Sequence, residues 1–322
     1  MKAEGSPETV HRRASGRVFV IGSINRDFVL KVERRARPGE TLTDAKLDLH
    51  DGGKGANQAV AAARLGAEVA ILGRVGEDEI GPPLLRSLDE NGVDVKLVST
   101  DPELATGSAF ITVTPDGENA ITVAPGANRS LTPDHVDEAA EAMKSSRVLV
   151  AQMEIPLETV ERAVEAASSA GARVVLNLAP SREVPSAVLE NLDPLVVNEH
   201  EAAFLLGRKV EGVEGAKEAS SSLLTLGPRS AVVTIGASGA AFAGGEADEH
   251  SSGHFPAPEA EVVDTTGAGD TFVGALAARL AAGDSLSDAT RYAVRAGAVA
   301  VTKEGAQGGC PTPEEVERFS GA

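Results

Sequence analysis

The chain has 322 residues, a single cysteine (Cys310) and a formal net charge of −18. That length can bury the core of one large α/β domain, and a lone cysteine closes no intrachain disulfide and requires no oxidising compartment. The charge argues against a nucleic-acid partner, whose phosphates need clustered Lys and Arg, and it would repel a nucleotide unless backbone donors, a metal ion and a few local cations held it.

Residues 1–16 are polar and mixed in charge and lack the apolar segment of a secretory signal, so a disordered extension is expected before a domain at 17–322. Arg64 and Arg279 interrupt the Ala-rich helical patterns, and no uncharged apolar stretch is long enough to span a bilayer; a soluble, cytoplasmic protein with no membrane partner is expected. Residues 17–21 (RVFVI) read as a buried first strand ending at Gly22. Asn25 and Asp27 follow, two apart and therefore on one side of an extended segment, at the strand end where open α/β sheets bind ligands. An Asx turn closing the strand fits the same residues.

Residues 28–31 and 41–49 alternate weakly about Pro38 and Gly39, as a hairpin leaving the main sheet would. The run DGGKGANQ at 51–58 then opens an Ala-rich helix reaching Leu65 and Gly66. Its glycines permit close backbone approach, and Lys54, Asn57 and Gln58 add polar groups at the helix start. It lacks P-loop spacing, but three glycines and an Asn together favour a ligand site over a plain turn. A strand at 69–72 and a helix ending at Asn91 and Gly92 continue a parallel sheet with crossovers. Residues 106–114 and 119–124, joined by PDGE, form a second hairpin; with the first they make a small β-sheet lid, from about 27–50 and 106–125.

From Pro133 the alternation is regular: a helix to 145, strands at 148–151, 174–177 and 195–197, and a helix at 157–170. Glu154 follows the first of these strands and Asn198 and Glu201 follow the last. Three apart across a helix start, Asn198 and Glu201 can face one point, which suits a hydrated Mg²⁺; a capping box uses the same two residues and can hold at the same time. After a helix at 213–225 and a strand at 231–235 comes the turn 236–239, whose small residues could take a phosphate or ribose, although a hairpin turn is the simpler reading of that segment alone.

The stretch VVDTTGAGDTF at 262–272 is the centre of the chain: an apolar run meets a glycine turn and then a helix. Gly267, Ala268 and Gly269 let backbone N–H groups approach a ligand where an opening helix leaves donors unpaired, which is a place for an anion. Asp270 stands beside that anion, and the task that justifies a carboxylate there is taking a proton from an acceptor hydroxyl. For an isolated Asp, a first-turn residue suiting the helix dipole would be the preferred reading; the flanking glycines and Asp264 favour the base. Phe272, Leu276 and Leu280 recur every four residues toward a core, with Gly274 and Ala278 allowing close packing. Helices near 287–303 and 312–319 complete an α/β fold with a mainly parallel central sheet.

Three segments, GSINRD at 22–27, GGKGANQ at 52–58 and DTTGAGD at 264–270, resemble the PfkB carbohydrate kinase family over nearly the whole chain after the extension. The third is family-wide, and the first two point to its ribokinase branch. The resemblance implies a three-layer sandwich with the β-sheet lid. It implies that Asn25, Asp27, Gly53, Lys54, Asn57 and Glu154 hold sugar hydroxyls, that Asn198 and Glu201 organise Mg²⁺ through water, and that Thr234, Gly236 and Gly239 line an ATP site. Gly267, Ala268 and Gly269 would form the anion hole with Asp270 as base. A monovalent-cation (K⁺) site would be built from Asp264, Thr266, Ala300, Lys303, Gly305 and Gly309, the last standing where the best-known members carry a serine. The implied reaction is phosphorylation of D-ribose at its 5-hydroxyl by MgATP, in a homodimer paired through the lid. A kinase of the same family acting on deoxyribose, fructose or a nucleoside is the alternative. A non-catalytic sugar sensor would not need the glycine turn or Asp270, and a dinucleotide oxidoreductase fails because Phe272 stands where a third glycine is required.

Overall fold

The computed structural model describes residues 16–116, 118–244 and 252–319. The expected disordered extension lies outside the described residues except for Gly16, which is buried against the carbonyl of Ala281. The first half contains β1 (Arg17–Ile21), β2 (Asn25–Lys31), β3 (Lys46–Gly52), α1 (Lys54–Arg64), β4 (Glu68–Gly76), α2 (Gly81–Glu90), β5 (Val93–Asp101), β6 (Gly107–Val113) and β7 (Asn119–Ala124). There follow α3 (Pro133–Glu138), α4 (Ala140–Lys144), β8 (Val148–Gln152), α5 (Leu157–Ser169), β9 (Arg173–Asn177), α6 (Ser186–Leu189), β10 (Leu195–Asn198), α7 (Glu199–Leu206) and α8 (Gly212–Leu223). The chain closes with β11 (Ser230–Thr234), β12 (Ala240–Gly244), β13 (Ser252–Phe255), α9 (Ala268–Ala281), α10 (Leu286–Ala300) and α11 (Pro313–Arg318).

Nine strands form the main sheet in the order β13-β12-β11-β10-β9-β8-β1-β4-β5, parallel except for the antiparallel edge made by β12 and β13. The chain runs from β1 outward to β4 and β5, then returns to β8 on the other side, so the direction of travel reverses between β1 and β8. Such a switch point leaves a crevice at the strands' carboxyl ends. β1 shows why there are three layers: Val18 and Val20 enter one core with α1, α2, α9, α10 and α11, while Phe19 and Ile21 enter the other with α3 to α8. α9 lies directly on α1, where a Cβ on Gly274 would fall 2.5 Å from that of Ala61.

The lid is a separate sheet in the order β3-β2-β6-β7. Its central strand β2 starts three residues after β1 ends, and β3 ends one residue before α1 begins, so the lid is rooted at the switch point. The sequence reading passed over β5, β12 and β13 and joined α3 to α4 across Ala139. β5 is an edge strand whose Asp94, Lys96 and Ser99 break the apolar run. β12 reads AAFAG, and small residues carry little strand signal. Among the described residues no helix is long and apolar enough to cross a membrane.

Candidate active site

The carboxyl ends of β1 and β8 place the first polar group. Asn25 pairs with Gly52 on one side and Gly107 on the other, at the root of the lid. Its Oδ1 accepts from Asn128 Nδ2 at 2.7 Å, and Asn128 Oδ1 in turn accepts from the Ile24 N–H at 2.9 Å, so the amide nitrogen of Asn25 is the end left for a ligand. Asp27 is half-buried, and burial, reinforced by the negative charges of Glu154 and Asp270, pushes its carboxyl up to about 6. Glu154 Oε2 accepts from Ser23 Oγ at 2.5 Å and from the Lys54 N–H at 3.1 Å. Gly53 precedes α1 with φ +87°, and a Cβ there would lie 2.8 Å from Asn25 N, so glycine is what lets β3 turn into α1 beside the site. The Lys54 amine is raised above its usual value by Asp270 first and then, against the opposing effect of burial, by Glu154, Glu201 and Asp27. One ammonium thus faces four carboxylates.

Asp270, in the first turn of α9, is 8% exposed. Its Oδ2 accepts from Asn57 Nδ2 and its Oδ1 from Gln58 Nε2, both at 2.9 Å. Asn57, expected to face a sugar, therefore has one N–H on the carboxylate and its oxygen on Gln307 Nε2 at 3.1 Å, leaving one N–H for a ligand. Gly267 turns into α9 with φ +74°, and a Cβ on it would fall 2.5 Å from that of Ala306. The anion turn differs from expectation at one residue. The Ala268 N–H points back to Thr265 O at 3.3 Å and that of Thr271 to Gly267 O, while the amides of Gly269 and Asp270 have no acceptor among the described residues.

Thr234, Gly236 and Gly239 line a cleft of about 790 Å³ together with Ala268, Gly269 and Phe272. Among the described residues, its only charged lining residues are Glu259 and Glu261. A second cleft of about 810 Å³, lined by Arg208, Lys217 and His254, shares no residue with the Asp270 cluster. Asn198 caps α7 in a capping box, its Oδ1 accepting from the Glu201 N–H at 2.9 Å and Glu201 Oε2 from the Asn198 N–H at 2.8 Å. Burial raises the Glu201 carboxyl. The loop after α10 packs on the strand-to-helix turn: Asp264 accepts from the N–H groups of Thr266 and Gly305, both at 2.9 Å. A Cβ on Gly309 would meet Ala300 O at 2.9 Å and Gly305 O at 3.0 Å, so both carbonyls lie against Gly309; each also accepts a backbone N–H, from Lys303 and Gly309 respectively. Lys303 turns its amine away to Glu315 at 2.6 Å, which leaves only its backbone available there. Among the described residues no cluster of three or more His, Cys, Asp or Glu forms a metal site.

Sequence reading missed Ser23, Asn128, Asn177 and Gln307, and noted Gln58, at the start of α1, and Gln152, at a polar strand end, without giving either a role. The missed residues join partners up to 250 positions away, so no local pattern marks them. Only Gln58, beside Asn57 at a glycine-opened helix, and Gln152, at its strand end, carried a visible signal.

The profile of the pfkB family carbohydrate kinases matches residues 15–313. The chain belongs to this family. Among pfkB relatives, the ribokinase of Staphylococcus aureus is 37% identical over 306 residues, covering 94% of this chain and 99% of that one. A deoxyribokinase of Salmonella typhi is 35% identical over 303 residues, covering 94% and 98%. The structure of Arabidopsis thaliana ribokinase complexed with ribose and ATP superposes with a TM-score of 0.87 at 31% identity, covering 95% of this chain and 100% of that one. The pfkB architecture of a large mainly parallel sheet with a small separate lid sheet is the one described above.

Proposed function

We propose that this pfkB kinase transfers the γ-phosphoryl group of ATP to the 5-hydroxyl of D-ribose, releasing D-ribose 5-phosphate and ADP. One observation carries the reading: Asp270 is buried and amide-held, close enough to Asp27 to act on its charge, and directly follows Gly269, which lines a cleft of nucleotide size. The similarity to ribokinases over nearly the full chain supports ribose as the sugar. Asn25 donates, and Asp27 and the free oxygen of Glu154 accept, which matches a polyol with several hydroxyls. Asp270 takes the hydroxyl proton as the ribose oxygen bonds to phosphorus and the bond to ADP breaks. The open N–H groups of Gly269 and Asp270 face charge that spreads over the transferred oxygens.

Glu201 and Asn198 offer the hard oxygen donors that a hydrated Mg²⁺ takes, and the ion supplies charge neutralisation on the phosphates. Asp264 with the carbonyls of Ala300 and Gly305 fits a K⁺ ion in the same sense, with Thr266, Lys303 and Gly309 contributing backbone. Cytoplasmic residence follows the same reading.

A coupled assay for ADP release with ribose, 2-deoxyribose, fructose and adenosine, with and without K⁺, tests the function. Ribose should give the highest kcat/KM; a preference for adenosine would overturn the assignment. Homodimerisation through the lid rests on its outer face. Phe28 pairs with Leu49 and with Phe110, its ring stacked on that of Phe110 at 5.1 Å, and Leu47 and Leu49 are each 54% exposed on this side. Sedimentation should find a dimer in the wild type and a monomer in Leu49→Asp; equal masses for the two would remove this interface.

A further inference from the structure

Asp270 is held by amides, and the amides are themselves held. Asn57 could turn over and set its oxygen against the carboxylate, but Gln307 Nε2 requires that oxygen at 3.1 Å. Gln58 is constrained twice: Gln152 Nε2 needs its oxygen at 2.7 Å, and Asn177 Oδ1 needs its nitrogen at 3.0 Å. Both Gln58 and Gln152 are fully buried, and Gln307 is 8% exposed. Three separate parts of the fold, namely α1, the ends of β8 and β9, and the loop after α10, thus close on one carboxylate. All these contacts are neutral. A guanidinium in their place would offset the negative charge that makes Asp270 a base, whereas amide N–H groups orient it and leave its charge.

We propose that Gln58, Gln152 and Gln307 are positioning residues for the phosphoryl transfer. Through direct contact by Gln58, and through Asn57 and Gln58 for the other two, they fix the plane of the Asp270 carboxylate and leave one lone-pair direction open to the acceptor alcohol. The inference rests on the function proposed above. The charged or ionisable groups around Asp270 include Lys54 of α1, Asp27 of β2, Cys310 beyond α10, and Glu154 and Glu201, which act with it on Lys54. Since Asp27 binds sugar in this scheme, its titration enters the KM for ribose, and kcat at saturating ribose isolates the Asp270 clamp.

Gln58→Met and Gln307→Met preserve volume and remove the donors. In both, kcat should fall by about tenfold or more with KM for ribose and ATP within about threefold. A crystal structure of Gln307→Met, the variant remote from the helix core, should show the Asn57 side chain released from its wild-type position and the Asp270 carboxylate rotated. An unchanged kcat with only a lowered thermal midpoint would mean that the amides merely pack, and an unmoved Asp270 in the crystal would equally overturn the proposal. The crystallographic result stands whichever alcohol is the substrate. Failure of the wild-type chain to phosphorylate ribose would therefore sink the functional reading while the clamp is still decided by the carboxylate's orientation.

Discussion

Replacing Asp270 by Asn is expected to lower kcat by about 10²–10⁴-fold, the usual contribution of a positioned general base, with KM for ribose and ATP changed only a few-fold. The surroundings explain why binding survives. Asn25, Asp27 and Glu154 lie on β2 and after β8, and Asp270 reaches them through space and not through a hydrogen bond. The cost to the fold is local. The new NH₂ group must face either Asn57 Nδ2 or Gln58 Nε2, both donors, so one of them loses its acceptor, at about 1–3 kcal/mol for a buried donor left unmet. Removing the charge relieves Asp27, which Asp270 disfavours in its ionised form, and offsets part of that loss. Steady-state kinetics beside a thermal melt separate the effects; turnover like the wild type in a folded variant would take Asp270 out of the chemistry.

Asp27→Asn should act in opposite directions on binding and stability. The folded protein holds the Asp27 proton with a midpoint near 6 against an ordinary value of 3.8, so folding is favoured when the group is protonated. The sign follows: the stabilising effect is full below about pH 4 and is lost as pH rises through 6, and above that the ionised carboxylate weakens the fold by at most about 3 kcal/mol. The Asn variant should therefore melt at a higher temperature than wild type at pH 7.5 and at the same temperature near pH 4. Its affinity for ribose should drop about 10- to 100-fold, the loss of a charged acceptor for a hydroxyl. Wild-type affinity should itself weaken as pH falls below 6. Calorimetric titration at pH 5 and 7.5 reads both effects, and undiminished ribose binding by the variant would remove Asp27 from the sugar site.

Legibility of the sequence followed the range of the interactions. Strands buried on both faces, such as RVFVI in β1, and helices opened by glycine, such as that following Gly267, carry their signal within a few residues and were read correctly. The parallel sheet and the separate lid followed from their order. β5 and β12 were lost because an edge strand mixes polar residues into its run and an alanine strand has no periodic contrast. Asp27, Asp270 and the glycines at 52–55 and 267–269 stood out because they fall in three short motifs. The pairing of the amides was invisible, because Gln307 meets Asn57 and Gln152 meets Gln58 only after the sheet has assembled. A glutamine inside an otherwise apolar layer has no local pattern to announce it.

The lid is attached where the sugar cluster sits, and this has a mechanical consequence. β2 climbs seven residues from Asn25, a height of about 20 Å at 3.3 Å per residue. Tilting that strand by about 10° sweeps its free end through roughly 3.5 Å and leaves Asn25 almost stationary. In the proposed function the sugar grips the fulcrum of a lever, where force has little leverage over the sheet. Matching of hydroxyls and sealing of the crevice become separable tasks: the fulcrum chooses which molecule enters, and the far rim governs how long it stays.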